Sequence, residues 1–412
     1  MSKFSLALAL AALLFFKSYC FGALQYGFYD AKCGSSDVEN IVTGVVNSWC
    51  NIDPTRSAAL LRMQFHDCFV KGCDASILLS GSDSERTAFP NSGVRGFDVI
   101  DEAKAAVEAV CPGVVSCADI IVMATRDAVS FSGGGTYNVQ TGRRDGLVSL
   151  ASNVDLPPPF ISVSDSIASF AAKGLNVTDM VYLLGGHTVG VAHCSSFQHR
   201  LYNFNQTGGP DPTMNSVLLT TLRLRCPLNS SVNNTVNLDQ GLLSSTVVDK
   251  SFYQQILLNK GILQIDQQLA LDPLTKPRVT SASTSMDFQT RFGEAMVKMG
   301  GIEVLTGTDG EIRSSCQDQQ TGSTLVDSTS ALKSNMPQEA NKFQRDELMI
   351  NAEHCILKSS NLMKRPISQG SKLPKGREYQ SIRQRSADSR NQGYRVEEES
   401  LDKIVQVPFF HE

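Results

Sequence analysis

Arg62 and His66 stand four residues apart in the run Arg62-Met-Gln-Phe-His66-Asp67-Cys68. On a helix that interval puts both on one face. An imidazole can accept and return a proton near neutral pH. A fixed guanidinium beside it can stabilise negative charge as it develops. Directly after this pair come Asp67, Asp74 and Ser76, hard oxygen donors around a tight loop from Cys68 to Cys73 that contains Gly72. Calcium takes several such donors from side chains and carbonyls. A disulfide across so short a loop would rigidify it.

The elements that must carry these residues read as helices. Leu61, Phe65 and Phe69 recur at helical spacing over Arg56–Val70, and Asp53-Pro54 supplies a helix start with Asp as N-cap and Pro at the first turn. Asp98–Val110 and Cys117–Val129 read as two further helices. Thr178–Leu184 reads as a helix stopped by Gly185-Gly186. Phe288, Phe292, Met296 and Met299 form a stripe on a helix ended by Gly300-Gly301, and that stripe is core. Strand signals are few and short, so the expected class is all-α. No solenoid-type repeat is present.

Two longer segments bring a resemblance. LLRMQFHDCFVKGCDASILL, from Leu60 to Leu79, is similar to the distal-haem segment of the secretory plant peroxidases, the class III haem peroxidases. LLGGHTVGVAHC, from Leu183 to Cys194, resembles that family's proximal-haem segment. The resemblance runs from about Leu24 to Cys316. It implies a helical fold with haem b held between distal and proximal halves, hydrogen peroxide as oxidant and small phenols as one-electron donors.

Residue by residue, the resemblance implies that His187 is the axial ligand of the haem iron. Asp266, in Leu263-Gln-Ile-Asp266, matches the carboxylate that accepts the axial imidazole N–H. His66 would take a proton from peroxide and return it to the leaving oxygen, and Arg62 would stabilise charge there. Asn91 matches the amide that orients His66, and Glu85 the acid that links this network to the distal calcium. That ion's ligands would be Asp67, Asp74 and Ser76 with the carbonyls of Val70 and Gly72. A second, proximal calcium would use Thr188, Asp239 and Asp249. There the chain departs from the family, since Leu242 occupies a threonine position and the segment is about two residues longer; Ser244 or Thr246 could substitute. Pro157 matches the proline at the mouth of the phenol channel. The implied disulfides are Cys33–Cys111, Cys68–Cys73, Cys117–Cys316 and Cys194–Cys226, and Asp119 with Arg143 matches a buried ion pair. Cys50 is expected to be a buried free thiol. Tyr137 stands where the family has tryptophan, and Trp49 is the only Trp of the chain.

Composition agrees with a secreted enzyme. The 412 residues carry a formal net charge of −4, against a general nucleic-acid or anionic-membrane binder. Met1–Gly22 has a Lys3 n-region, a short apolar run and small residues before Ala23, the pattern of a secretory signal rather than a membrane span. Secretion to the cell wall or apoplast, or to a vacuole, would let eight of the 11 cysteines form the four implied disulfides. Asn176, Asn205, Asn229 and Asn233 are glycan acceptor triplets. The expected organisation is a signal over 1–22, a peroxidase domain over 23–320 and a polar, disordered extension over 321–412. A monomer is expected. A non-catalytic scaffold would have lost Arg62, His66 or His187, and an intracellular ascorbate-using enzyme would lack the signal and the cysteine ladder.

Overall fold

The helix Cys117–Phe131 is buried almost all round, with Ile120, Ile121, Met123 and Ala124 each at 0% exposure. A helix apolar on every face must lie at the centre of its layer. The protein is described by a computed structural model over residues 23–318, apart from 242–243. The signal, the C-terminal extension, Cys20, Cys355 and Leu242 lie outside the described residues.

In chain order the helices are α1 (Val38–Ile52), α2 (Arg56–Lys71), α3 (Phe97–Glu108), α4 (Cys117–Phe131), α5 (Val163–Ala172) and α6 (Val177–Leu184). They continue as α7 (Gln198–Tyr202), α8 (Ser216–Arg225), α9 (Ser251–Leu257), α10 (Gln264–Leu271), α11 (Lys276–Thr284) and α12 (Phe288–Met299). Short 3-10 turns fill the connections. Two strands, β1 (Val191–His193) and β2 (Thr235–Asn237), pair antiparallel with Ala192 opposite Val236. The fold is all-α, as the periodicity indicates.

Three apolar clusters set the architecture. The first joins α1, α3 and α4 through residues such as Val42, Val46, Ile100 and Ile121. The second gathers α6 and α9 to α12 around Phe252, Tyr253, Phe288 and Phe292. The third packs α7 and α8 beneath the two strands through Phe197, Leu201 and Leu222. Helix α2 belongs to two of them: Leu60 and Met63 enter the first cluster, Leu61 and Phe69 the second. It is thereby fixed between the two halves, and the helix that bears Arg62 and His66 has little freedom to move.

One local reading needs correction. Asp53-Pro54 does not begin α2. Asp53 closes α1, its backbone N–H bonded to Trp49 O, and its carboxylate accepts from Thr55, so α2 starts at Arg56 after Thr55. The local Asp turn has outcompeted the N-cap. The proximal helix does stop at Gly185-Gly186, as read from the sequence. Gly185 has φ −59° and the chain tightens into a 3-10 turn over Gly185–Thr188. The glycine is needed for space, since a Cβ there would fall 2.2 Å from Tyr253 Oη. The remaining predicted helices appear with ends moved by one or two residues, as Phe97–Glu108, Cys117–Phe131 and Val177–Leu184.

Four disulfides brace the described chain: Cys33–Cys111, Cys68–Cys73, Cys117–Cys316 and Cys194–Cys226. Cys50 is a buried free thiol beside Ser57, and burial pushes its pKa up. Arg143 Nη1 bonds Asp119 Oδ1 at 2.8 Å, both side chains almost fully buried, and Tyr29 Oη donates to the same carboxylate at 2.6 Å. That pair ties the N-terminal turn of α4 to the segment before Asp145.

Candidate active site

His66 projects from α2 with one nitrogen engaged by the protein on each side. Asn91 Nδ2 donates to the Glu85 carbonyl at 2.8 Å, which leaves Asn91 Oδ1 as the acceptor facing His66 Nδ1 at 2.6 Å. An amide oxygen cannot donate, so Nδ1 must carry the proton and Nε2 the lone pair. Arg62 Nε lies 3.1 Å from that Nε2 as donor. Burial, then the Arg62 charge, push the His66 pKa down to about 4, against the raising effect of the Asn91 bond. At neutral pH the ring is uncharged and basic at a single, fixed nitrogen.

Arg62 is itself held by the loop that carries Asn91. Its Nη1 donates to Gly93 O at 2.9 Å and its Nη2 to Pro90 O at 3.0 Å. The residue has an open face, yet burial lowers its pKa.

The oxygen cluster lies at the far end of α2. The Cys68–Cys73 bridge closes the helix end, and Gly72 takes φ +103° with the Glu303 carbonyl so near that a Cβ would fall 2.4 Å from it. Only glycine satisfies both demands. Asp67 Oδ2 accepts from Ala75 N–H, Asp74 Oδ1 from Ser76 N–H, and Ser76 Oγ donates to Glu85 Oε2 at 3.2 Å. Asp67 Oδ1 and Glu85 Oε1 are buried without a hydrogen-bond partner. Burial, followed by repulsion from Asp74, raises Asp67 well above the usual range and Glu85 to about 7. Burial also raises Asp74. Three crowded carboxylates with orphaned oxygens fit a hard cation. Among the described residues no group of three or more His, Cys, Asp or Glu forms a metal site by such side chains alone. A cation here would therefore draw on the Ser76 hydroxyl and the carbonyls of Val70 and Gly72 as well.

On the other side of the cleft, the 3-10 turn after α6 presents His187. Its Nδ1 lies 2.8 Å from Asp266 Oδ1 on α10, and Asp266 is buried with Oδ2 unpartnered. Burial lowers the His187 pKa, but the Asp266 charge and bond outweigh it and the net direction is up; Arg62 acts against protonation. Nδ1–H donates to the carboxylate, so Nε2 is left free. The side chain is 31% exposed although protein surrounds it. The Arg62 charge disfavours protonation of both rings.

Thr188, Asp239 and Asp249 also converge. Thr188 Oγ1 donates to Val247 O at 3.2 Å and to Asp249 Oδ1 at 3.3 Å. Ser251 was not singled out in the sequence, yet its Oγ donates to Asp239 Oδ2 and its N–H to Asp249 Oδ1. Gly241 N–H donates to Asp239 Oδ1, and the Ser244 hydroxyl flanks the same glycine, whereas Thr246 is exposed. Pro157 lies half-buried in the loop before α5; Ile265 N–H donates to Pro159 O, tying that loop to the helix of Asp266. No hydrogen bond joins Pro157 to either histidine. Sequence reasoning also missed Gly146 and Arg313, which pack against Asp74; neither residue type advertises such a role.

Comparisons with known proteins point to one family. A family model described as Peroxidase matches residues 42–285. The chain is 49% identical over 309 residues to Peroxidase 60 of Arabidopsis thaliana, covering 74% of this chain and 93% of that one. It is 48% identical over 317 residues to Peroxidase 57 of the same plant, covering 77% and 98%. Against Peroxidase N1 of Nicotiana tabacum it is 47% identical over 298 residues, covering 71% and 89%.

Proposed function

The chain belongs to the peroxidase family, and from that premise we propose that it is a secreted haem peroxidase whose chemistry is divided between His66 with Arg62 on one side of the cleft and His187 with Asp266 on the other. It reduces hydrogen peroxide to two waters while two phenolic molecules each lose one electron and one proton. The observation that carries this reading is the pair of fixed tautomers, each with Nδ1 committed: His187 Nε2 is left free, and His66 Nε2 keeps its lone pair beside the Arg62 Nε donor.

Bound haem supplies an iron to hold peroxide and pass oxidising equivalents to the donor. His187 Nε2 would hold that iron, and Asp266 keeps electron density on the imidazole by accepting its Nδ1–H. His66 Nε2 takes the peroxide proton and delivers it to the leaving oxygen. The Arg62 guanidinium stabilises the charge that oxygen acquires. Asn91 acts through His66, holding its tautomer with the Glu85 carbonyl behind it.

Asp67, Asp74 and Ser76, with the carbonyls of Val70 and Gly72, are read as the distal calcium shell, with Glu85 behind Ser76. Thr188, Asp239 and Asp249 are read as the proximal shell. There the Ser244 hydroxyl is better placed than Thr246 to replace the missing threonine. Pro157 is read as the rim of the donor channel. The catalytic domain is taken as residues 23–320, exported by the signal at 1–22 to the wall or apoplast and acting as a monomer. Among the described residues no helix is long and apolar enough to cross a membrane.

The test is spectroscopic. Purified full-chain protein should show a Soret band that shifts on addition of hydrogen peroxide and is restored by guaiacol. A Soret band indifferent to peroxide would remove the roles of His66 and Arg62. Folded protein that takes up no haemin would overturn the assignment.

A further inference from the structure

Arg313 is fully buried, an unusual place for a guanidinium. Its Nη1 donates to the Ala75 carbonyl at 2.9 Å and to that of Cys316 at 3.1 Å. Its Nη2 donates to Gly146 O at 2.8 Å and lies 3.4 Å from Asp74 O. Its backbone N–H donates to Asp145 Oδ2 at 3.0 Å. The two carbonyls at Asp74 and Ala75 stand between the side chains of Asp74 and Ser76. The segment around Arg313 is fastened on both sides. Asp145 and Glu311 exchange two backbone bonds, Ser80 N–H donates to Gln317 O at 2.9 Å, and Cys316 is bridged to Cys117. Gly146 N–H in turn donates to Asp74 O at 2.7 Å.

We propose that Arg313 is a positioning residue for the distal cation: its guanidinium fixes the backbone at Asp74 and Ala75, and so couples cation affinity to the strap Glu311–Gln317. The inference rests on the reading of Asp67, Asp74 and Ser76 as a calcium shell. Charge and geometry oppose each other here. A positive charge near the site repels calcium directly, so the contribution assigned to Arg313 is geometric. What it contributes is a planar fan of donors that holds carbonyls no water can reach. Lysine at 313 keeps the charge and loses the fan, which separates the two effects.

The experiment uses full-chain haem protein stripped of calcium with EGTA and titrated by calorimetry, with D67N marking the distal site. Arg313→Lys should weaken distal calcium binding by roughly 10–100-fold, the range for residues that orient ligands from behind. Affinity equal to or tighter than wild type would overturn the proposal and leave Arg313 as a structural charge. Calcium content unchanged in D67N would overturn the site itself, and this inference with it. Hydrogen exchange on the wild type provides a reading that needs no variant. Removing calcium should release the amides of Arg313, Ser80 and Gly146 together with that of Ala75. Protection of the strap amides that is the same with and without calcium would refute the coupling.

Discussion

Replacing Asn91 with aspartate should move the acid limit of the peroxide reaction toward neutrality. His66 Nδ1 lies 2.6 Å from the Asn91 oxygen, and burial and Arg62 together hold the ring's pKa at about 4. A carboxylate in place of the amide puts a negative charge beside the ring. At ~4 Å and an effective dielectric of ~20, two unit charges interact by ~4 kcal/mol, or roughly 3 pKa units. Desolvation of the new carboxylate at this buried position reduces that to roughly 2 units. The rate of the first step with peroxide requires neutral His66, so it falls as pH drops through the folded pKa. Stopped-flow rates against pH should place that limb near 4 in the wild type and roughly 2 units higher in Asn91→Asp. At pH 5 the variant should then be about tenfold slower, and near pH 8 close to wild type. The same depression has a stability consequence. Between about 6.5 and about 4 the unfolded chain binds a proton that the folded chain refuses, so wild-type stability declines as pH falls across that window. The variant should flatten the decline. An unmoved limb, or a loss equal at every pH, would refute the assignment of His66 as the titrating base.

Other outcomes follow from the same geometry. His66→Ala should lower the second-order rate with peroxide by roughly 10²–10⁴ while the Soret band persists, measured by stopped flow. His187→Ala should lose haem or its normal ligation, which absorbance of the reconstituted protein would show directly. Gly146→Ala would set a Cβ 2.0 Å from Asp74 Oδ2; it should lower the melting temperature by several degrees, and excess calcium should recover only part of the loss. EGTA treatment of the wild type should also lower the melting temperature, because the buried acids at Asp67, Asp74 and Glu85 lose their compensating charge.

Much was legible because it is local. Helical spacing fixed α2 and hence the shared face of Arg62 and His66, and the apolar stripe from Phe288 to Met299 is one wall of the second cluster. The two long motifs carried the family, and so the roles of residues far apart in sequence, such as Asp266. What the sequence misread was a helix start, where two local devices compete: an Asp turn against an N-cap at Asp53.

The residue types at Arg62, His66, His187 and the acid cluster were set by the sequence alone, and the chemistry proposed there needs a base, a charge, a ligand and hard oxygens. The resemblance supplied Asn91 and Asp266 as partners of the two rings, but which nitrogen each engages was decided by Asn91 being turned by the Glu85 carbonyl and by Asp266 arriving from another helix. The roles of Arg313, Gly146 and Ser251 were equally hidden. An arginine, a glycine and a serine are ordinary on any surface, and only the folding together of segments far apart in the chain brings the first two onto the Asp74 loop. Tertiary structure decided these, because a hydrogen bond is fixed by atoms in space and a linear chain specifies only its donors.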